Sequence, residues 1–312
     1  MTFLLGREGS SWMDLGISLS VELKKDEDAP ADSLSVSFPY SGEVPRFPQL
    51  RMYMDNAAAF DGIVDEQVLS IGASGRTLTL EARSRAALLL DNEALPQQYQ
   101  RPSLPLLFQR HALPYGFSRA IGPQTVYSGV LSVTKGMSEW AVLSSFCENY
   151  LGVAPRITPK GELDATGWEK ALAPLLFSSR GGIPYLSLEE RHLPCNRLSE
   201  VRVRAQAGGE YAIRLTDGQA IAQGVQRRRY CNAAPFSSRP ASFGEAMLRK
   251  AREQSYRLTI SCPGWVDAQI GQACRVDSPL LPDPGDLLVC SVRYRRNASS
   301  HTTSITLRKK EG

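Results

Sequence analysis

The chain has 312 residues, 42 % hydrophobic and 22 % charged, with a formal net charge of +4. These are globular proportions that exclude a disordered or fibrous chain, and the length suits two or three domains. No run approaches the roughly 20 apolar residues of a membrane span, and Phe3-Leu4-Leu5 meets Arg7 too soon for a signal-peptide core, so folding in a cytoplasm is expected.

In chain order, Trp12, Leu15, Ile17, Leu19, Val21 and Leu23 give a mostly alternating apolar face, and Leu34, Val36 and Phe38 alternate again. Residues 12–40 therefore predict a strand pair. The loop between them carries Asp26, Glu27, Asp28 and Asp32 but lacks the spacing and glycine of an EF-hand, so it reads as a solvated tip. Pro45 and Pro48 break the pattern before a strand through Leu50, Met52 and Met54. Phe60-Asp61-Gly62-Ile63-Val64 then opens a long hairpin. It turns at Gly72-Ala73-Ser74-Gly75 and returns through Leu78, Leu80 and Ala82, which alternate with Thr77, Thr79 and Glu81. Ala86 to Leu90 switch to a short helix that ends at Asp91-Asn92-Glu93. A closed or half-closed barrel is the economical way to bury so many strands without open edges.

From residue 96 to about 185 the pattern changes to a small α/β module. Ser103 caps a predicted helix over 103–111 with Pro105 in its first turn. A second helix spans 137–150, with Trp140, Leu143, Phe146, Cys147 and Tyr150 on one face and Gly152 as its stop. That helical spacing assigns Trp140, Phe146 and Tyr150 to a core rather than to a stacking platform. A compact hairpin turns at Pro159-Lys160-Gly161.

The last third returns to strands. Val201, Val203 and Ala205 alternate before the Gly208-Gly209 turn, and Tyr211, Ile213 and Leu215 follow. Residues 218–242 read as irregular, a helix is predicted over 244–255 with Phe243, Met247 and Ala251 in line, and four strands close the chain. Thr77-Leu78-Thr79-Leu80 in the first long hairpin is matched by Ser304-Ile305-Thr306-Leu307 in the last, so the two β regions are expected either to share a fold or to have converged on the same hairpin chemistry.

The sequence of apolar-Gly-apolar strand at Phe60–Val64, Thr/Leu strand, and Ser/Arg-Ala-Ala-Leu-Leu helix resembles the first domain of the phage tail baseplate hub family. That family includes contractile-tail hubs, the late control protein D group and the amino-terminal part of type VI spike proteins. MSEWAVLSSFCENYLG at 137–152 and PKGEL at 159–163 resemble its middle region. The resemblance implies a mainly β fold with an α/β insert: barrel-like domains over 1–95 and 186–312 flanking a module over 96–185. It also implies a structural homotrimer that adapts a sixfold tail tube to a threefold spike in a phage tail or tailocin, with tube, spike and other baseplate proteins as partners.

Little points to chemistry. The six cysteines include no Cys-x-x-Cys pair, and His111, His192 and His301 have no second histidine at ligand spacing, so no metal or cofactor is expected. His192 and Cys195 are too close in sequence for a usual Cys-His dyad. Glu189 and Glu190 are neighbours that point to opposite faces of a strand, and no nucleophile elbow or phosphate loop is present. An enzyme is not expected.

Charge is more telling. Residues 1–100 carry −7, residues 101–196 carry +2 and residues 197–312 carry +9. Arg227-Arg228-Arg229-Tyr230 and Arg293-Tyr294-Arg295-Arg296 make nucleic-acid binding by the basic third the alternative reading. In the ring that the resemblance implies, the same charges would set an acidic front domain beside a basic back domain, with Arg227, Arg228 and Arg229 at a subunit interface.

Overall fold

The computed structural model describes residues 1–310 apart from 8, 10, 43–45, 74, 159, 168–171, 207 and 234–239. The expected turn and breaker residues Pro45, Ser74 and Pro159 lie outside the described residues.

Alternating burial drives the main layer. Phe3, Leu5, Val21, Leu23, Leu34, Val36, Phe38, Leu50, Met52, Leu78 and Leu80 are all nearly inaccessible, while the residues between them face outward. The strands that carry them, Thr2–Gly6, Ser20–Asp26, Ser33–Pro39, Gln49–Met54, Ala57–Gly72 and Gly75–Ser84, wrap one apolar core. A second β core is built on Tyr256–Pro263, Ala273–Asp277, Leu287–Arg296 and His301–Lys309, and Leu175–Ser178 joins it by running parallel to Ala273–Asp277.

The expectation of barrels is corrected. Both β regions belong to one 13-stranded sheet, and among the described residues it does not close. The junction is the antiparallel ladder between Ser20–Asp26 and Leu287–Arg296, in register from Val21 opposite Arg296 to Asp26 opposite Ser291. Pairing across this seam gives each β region an inner neighbour in place of a closing strand of its own. Tyr294 seals it: the side chain comes from the carboxy-terminal strand, is fully buried in the amino-terminal core, and meets Trp265 edge-on at 4.9 Å.

Other expectations meet local geometry. The strand read from Trp12 to Leu23 is broken, because Gly16 adopts a left-handed φ of 75° and Met13–Asp14 is separated from Ser20–Asp26. Ile17 (81 % exposed) and Leu19 consequently leave the core. The segment 218–242, expected to be irregular, contains a helical turn at Gly218–Ala222 and a strand at Arg228–Asn232.

The insert has its own core. Leu104–His111 is capped by Ser103, whose Oγ accepts from the Leu106 amide at 3.4 Å. Glu139–Phe146 is capped by Ser138 and passes through a wide turn, Cys147–Leu151, to Gly152 at φ 71°. Trp140, Leu143, Phe146 and Cys147 are buried there, and Phe146 stacks on Tyr150 at 5.3 Å. A fourth, smaller core forms where the helix Ala241–Glu253 covers one face of a three-stranded sheet made of Ile213–Thr216, Glu200–Arg204 and Arg228–Asn232. Its buried stripe runs through Gly244, Leu248 and Ala251. The glycine is required there, since a Cβ would lie 2.5 Å from Leu215 Cδ1 and 2.7 Å from Val203 Cγ2.

Candidate interaction surfaces

The acidic front and the basic back meet inside one chain. At the seam, Glu22 lies opposite Arg295. Its carboxylate sits 2.6 Å from Lys24 Nζ, 2.9 Å from Arg293 Nη2 and 3.0 Å from Arg295 Nη2. Partial burial raises its pKa, but hydrogen bonds from Lys24 and Arg295 and the charge of Arg293 outweigh it and hold the carboxyl at about 2. Glu27 is more enclosed. Burial pushes its pKa up, with Arg308 opposing from 2.8 Å. Asp28 reaches Lys250 at 3.6 Å, so the expected solvated loop is also part of the contact between regions.

Arg227, Arg228 and Arg229 lie where the strand Arg228–Asn232 begins. This strand runs parallel to Glu200–Arg204 and is the terminal strand of its sheet. The guanidinium of Arg227 donates to the Cys195 carbonyl, and its backbone is tied to Ser199 Oγ at 2.9 Å in both directions. Arg228 Nε reaches Glu200 at 2.8 Å. Arg229 is exposed, and its guanidinium donates to the Arg228 carbonyl at 3.4 Å.

Glu200 is the hub of this region. Strand alternation sends Val201 and Val203 under the helix and Glu200, Arg202 and Arg204 to the opposite, open face. There Arg202, Arg214 and Arg228 converge on the one carboxylate at 2.7, 2.9 and 2.8 Å and hold its pKa down at about 2, with the Arg202 hydrogen bond the largest cause. Arg204 lies over the Tyr211 ring, which meets Tyr230 edge-on. The open face thus carries four arginines against one glutamate.

The remaining candidates are structural. His192 Nε2 faces Glu190 at 3.4 Å, while Cys195 Sγ donates to Asn196, so the His192–Cys195 pair does not form a dyad. Burial pushes the thiols of Cys147, Cys274 and Cys290 up to about 12 and that of Cys262 to about 11, which keeps them protonated and unreactive at neutral pH. Among the described residues, no group of three or more His, Cys, Asp or Glu could hold a metal ion. No described helix is long and apolar enough to cross a membrane.

Sequence reasoning missed a polar chain inside the insert. His111 accepts or donates to Tyr99 Oη at 2.8 Å through Nε2, and its Nδ1 lies 2.5 Å from Glu139 Oε2. Tyr115 donates to Glu139 Oε1 at 3.0 Å. His111 is 3 % exposed and Glu139 8 %, so this arrangement joins two helices, a 3-10 turn and a strand rather than offering a base to a substrate. The residue types were visible; their convergence over 12 and 28 positions was not.

The sequence matches no protein-family model and no curated protein. Solved structures do align along nearly all of it. A tail protein from Neisseria meningitidis MC58 is 19 % identical over 99 % of this chain and 97 % of that one, with a TM-score of 0.81. The 43 kDa tail protein of prophage MuSo2 from Shewanella oneidensis is 15 % identical over 98 % and 97 %, at 0.79. An E. coli component of the type VI secretion system, itself similar to T4 bacteriophage tail proteins, is 10 % identical over 94 % and 74 %, at 0.63. At these identities the likeness is one of fold: this chain has the fold of phage tail proteins and of a type VI secretion component.

Proposed function

We propose that the chain is a structural baseplate hub of a contractile phage tail or tail-derived particle, without enzymatic activity of its own. Three copies close into a ring, and the two β regions of each copy present six near-equivalent positions. The ring adapts a sixfold tail tube to a threefold spike and works in the assembled tail particle, alongside other baseplate proteins. The division into 1–95, 96–185 and 186–312 is kept as the working description of its parts.

One observation carries this reading beyond the likeness of fold: two β regions already stand side by side in one sheet whose ends, among the described residues, are open. A sheet with open ends leaves unpaired edges unless further strands are added. Head-to-tail addition of identical copies closes a ring when the rotation between copies permits. The charges support the same order of parts, since the acidic region already faces the basic one within a copy at Glu22, Glu27 and Asp28.

In this reading Arg227, Arg228 and Arg229 face the acidic region of the next copy. Arg229 is the sharpest probe of the three, because Arg227 and Arg228 also serve their own module. Sedimentation of wild type, Arg229→Glu and the triple Glu variant at low salt tests it. Trimers are expected for wild type and weakened trimers for both variants; unchanged trimers would discard this surface as an interface. Nucleic-acid binding is the second reading, favoured by the four arginines and two tyrosines of the open face, and salt-dependent DNA binding would revive it.

A further inference from the structure

Two strand edges of opposite charge stand open in this chain. The first belongs to Ala57–Gly72, the longest strand. Its pairing with Gln49–Met54 ends at Ile63 opposite Gln49, followed by one further bond from the Val64 amide to the Pro48 carbonyl. Asp65 is bulged out of the ladder with its hairpin partner Gly75–Ser84, Glu66 to Gly72 pair with that partner, and no described strand lies along the outer edge of this stretch. Glu66, Val68, Leu69 and Ile71 are exposed on it, the last by 74 %, while Asp65 is held within the chain by Arg83 at 2.7 Å.

The second is the outer edge of Arg228–Asn232, terminal in its three-stranded sheet. It presents Arg229 and Tyr230, the latter 53 % exposed, and beside them Arg228, which is 49 % exposed while it holds Glu200 at 2.8 Å. Proteins usually protect such edges with charge, a bulge or a covering element. Here one edge has a bulge at Asp65 and then carries exposed apolar side chains beside Glu66, and the other carries arginines beside an exposed aromatic ring.

We infer that the outer half of Ala57–Gly72 in one copy adds as a strand to Arg228–Asn232 of the next. Strand addition supplies main-chain hydrogen bonds, and alternate side chains supply selectivity. Paired strands bring facing side chains to about 4.5–5.5 Å between Cβ atoms, which puts Glu66 within reach of the arginines and the apolar residues within reach of Tyr230. A nucleic acid could use the arginines but not the backbone edge. Because one edge meets a different edge, the contact is heterologous, the type that generates rings. The inference rests on the proposed ring and names the contact that closes it.

The test uses the full chain and a fluorescein-labelled peptide of residues 64–72, VDEQVLSIG, followed by fluorescence anisotropy at low salt, with solution mass measured in parallel. The peptide is expected to bind and to reduce the trimer. Three changes should each weaken binding about tenfold or more: Asp65→Lys with Glu66→Lys in the peptide, N-methylation of alternate peptide amides, and Arg228→Glu with Arg229→Glu in the chain. The N-methylated peptide probes the backbone contact without altering the chain, so misfolding of the variant cannot mask the answer. Equal binding of the charge-reversed or methylated peptide, or tighter binding of a single-stranded DNA oligomer, would overturn the inference. Trimers without any peptide binding would overturn it and leave the ring intact; a monomeric chain that still binds the peptide would overturn the ring and leave this contact.

Discussion

Replacing Glu22 by Gln perturbs the seam that makes two β regions one sheet. Two of the three cations around Glu22, Arg293 and Arg295, come from the carboxy-terminal region. The Glu22 side chain is 23 % exposed and both arginines 45 %, so solvent screens each pair. Screened pairs are worth about 0.2–1 kcal/mol each. Adding the repulsion left among the three cations, Glu22→Gln should cost about 1–2 kcal/mol in urea unfolding at neutral pH. The pH dependence follows from the depressed pKa. A carboxyl at about 2 when folded and 4.5 as a free group contributes stability that is full above pH 4.5 and is lost as pH falls towards 2. The gap between wild type and variant should therefore narrow as the pH is lowered through that window, and a double-mutant cycle with Arg295→Gln should show coupling. Equal stability at neutral pH, or a gap that stays constant down the window, would refute the reasoning.

The other predictions concern single packing or hydrogen-bonding features. Tyr294→Ala empties a fully buried site beside Trp265 and should cost about 3–5 kcal/mol in the same assay, the range for large aromatic truncations. Gly62→Ala would set a Cβ 2.2 Å from the Arg83 carbonyl oxygen and 2.5 Å from Phe60 Cζ, so thermal unfolding should show a loss of about 1–3 kcal/mol from overpacking. His111→Ala strips Tyr99 and Glu139 of a buried partner and should cost about 2–3 kcal/mol, with Gln at this position recovering part of the loss.

What could be read from the sequence was local. Ser103 and Ser138 sit where helix caps are needed, the Thr77–Ala82 alternation marks a half-buried strand, and the spacing of Trp140, Leu143 and Phe146 marks a core face. Failures arose where tertiary context decided. One left-handed glycine, Gly16, turns an apparently continuous strand and exposes Ile17 and Leu19. The Arg228–Asn232 strand has exposed arginines where apolar alternation would be sought, because it ends a sheet with one uncovered face. The need to hide edges points to barrel closure, yet the partner strand lies some 270 positions away, where Glu22 meets Arg293. The charge asymmetry was legible as a count. Its targets were not, since counting cannot tell that Glu22, Glu27 and Asp65 are engaged within the chain while Glu66 lies on an exposed edge.

The ring is tested most directly by the mass of the purified chain in solution, measured by light scattering at low salt and accompanied by negative-stain imaging. The account predicts three times the 34.3 kDa chain mass and ring-shaped particles with a central opening. A mass of 34.3 kDa at every concentration, with no rings, would contradict it.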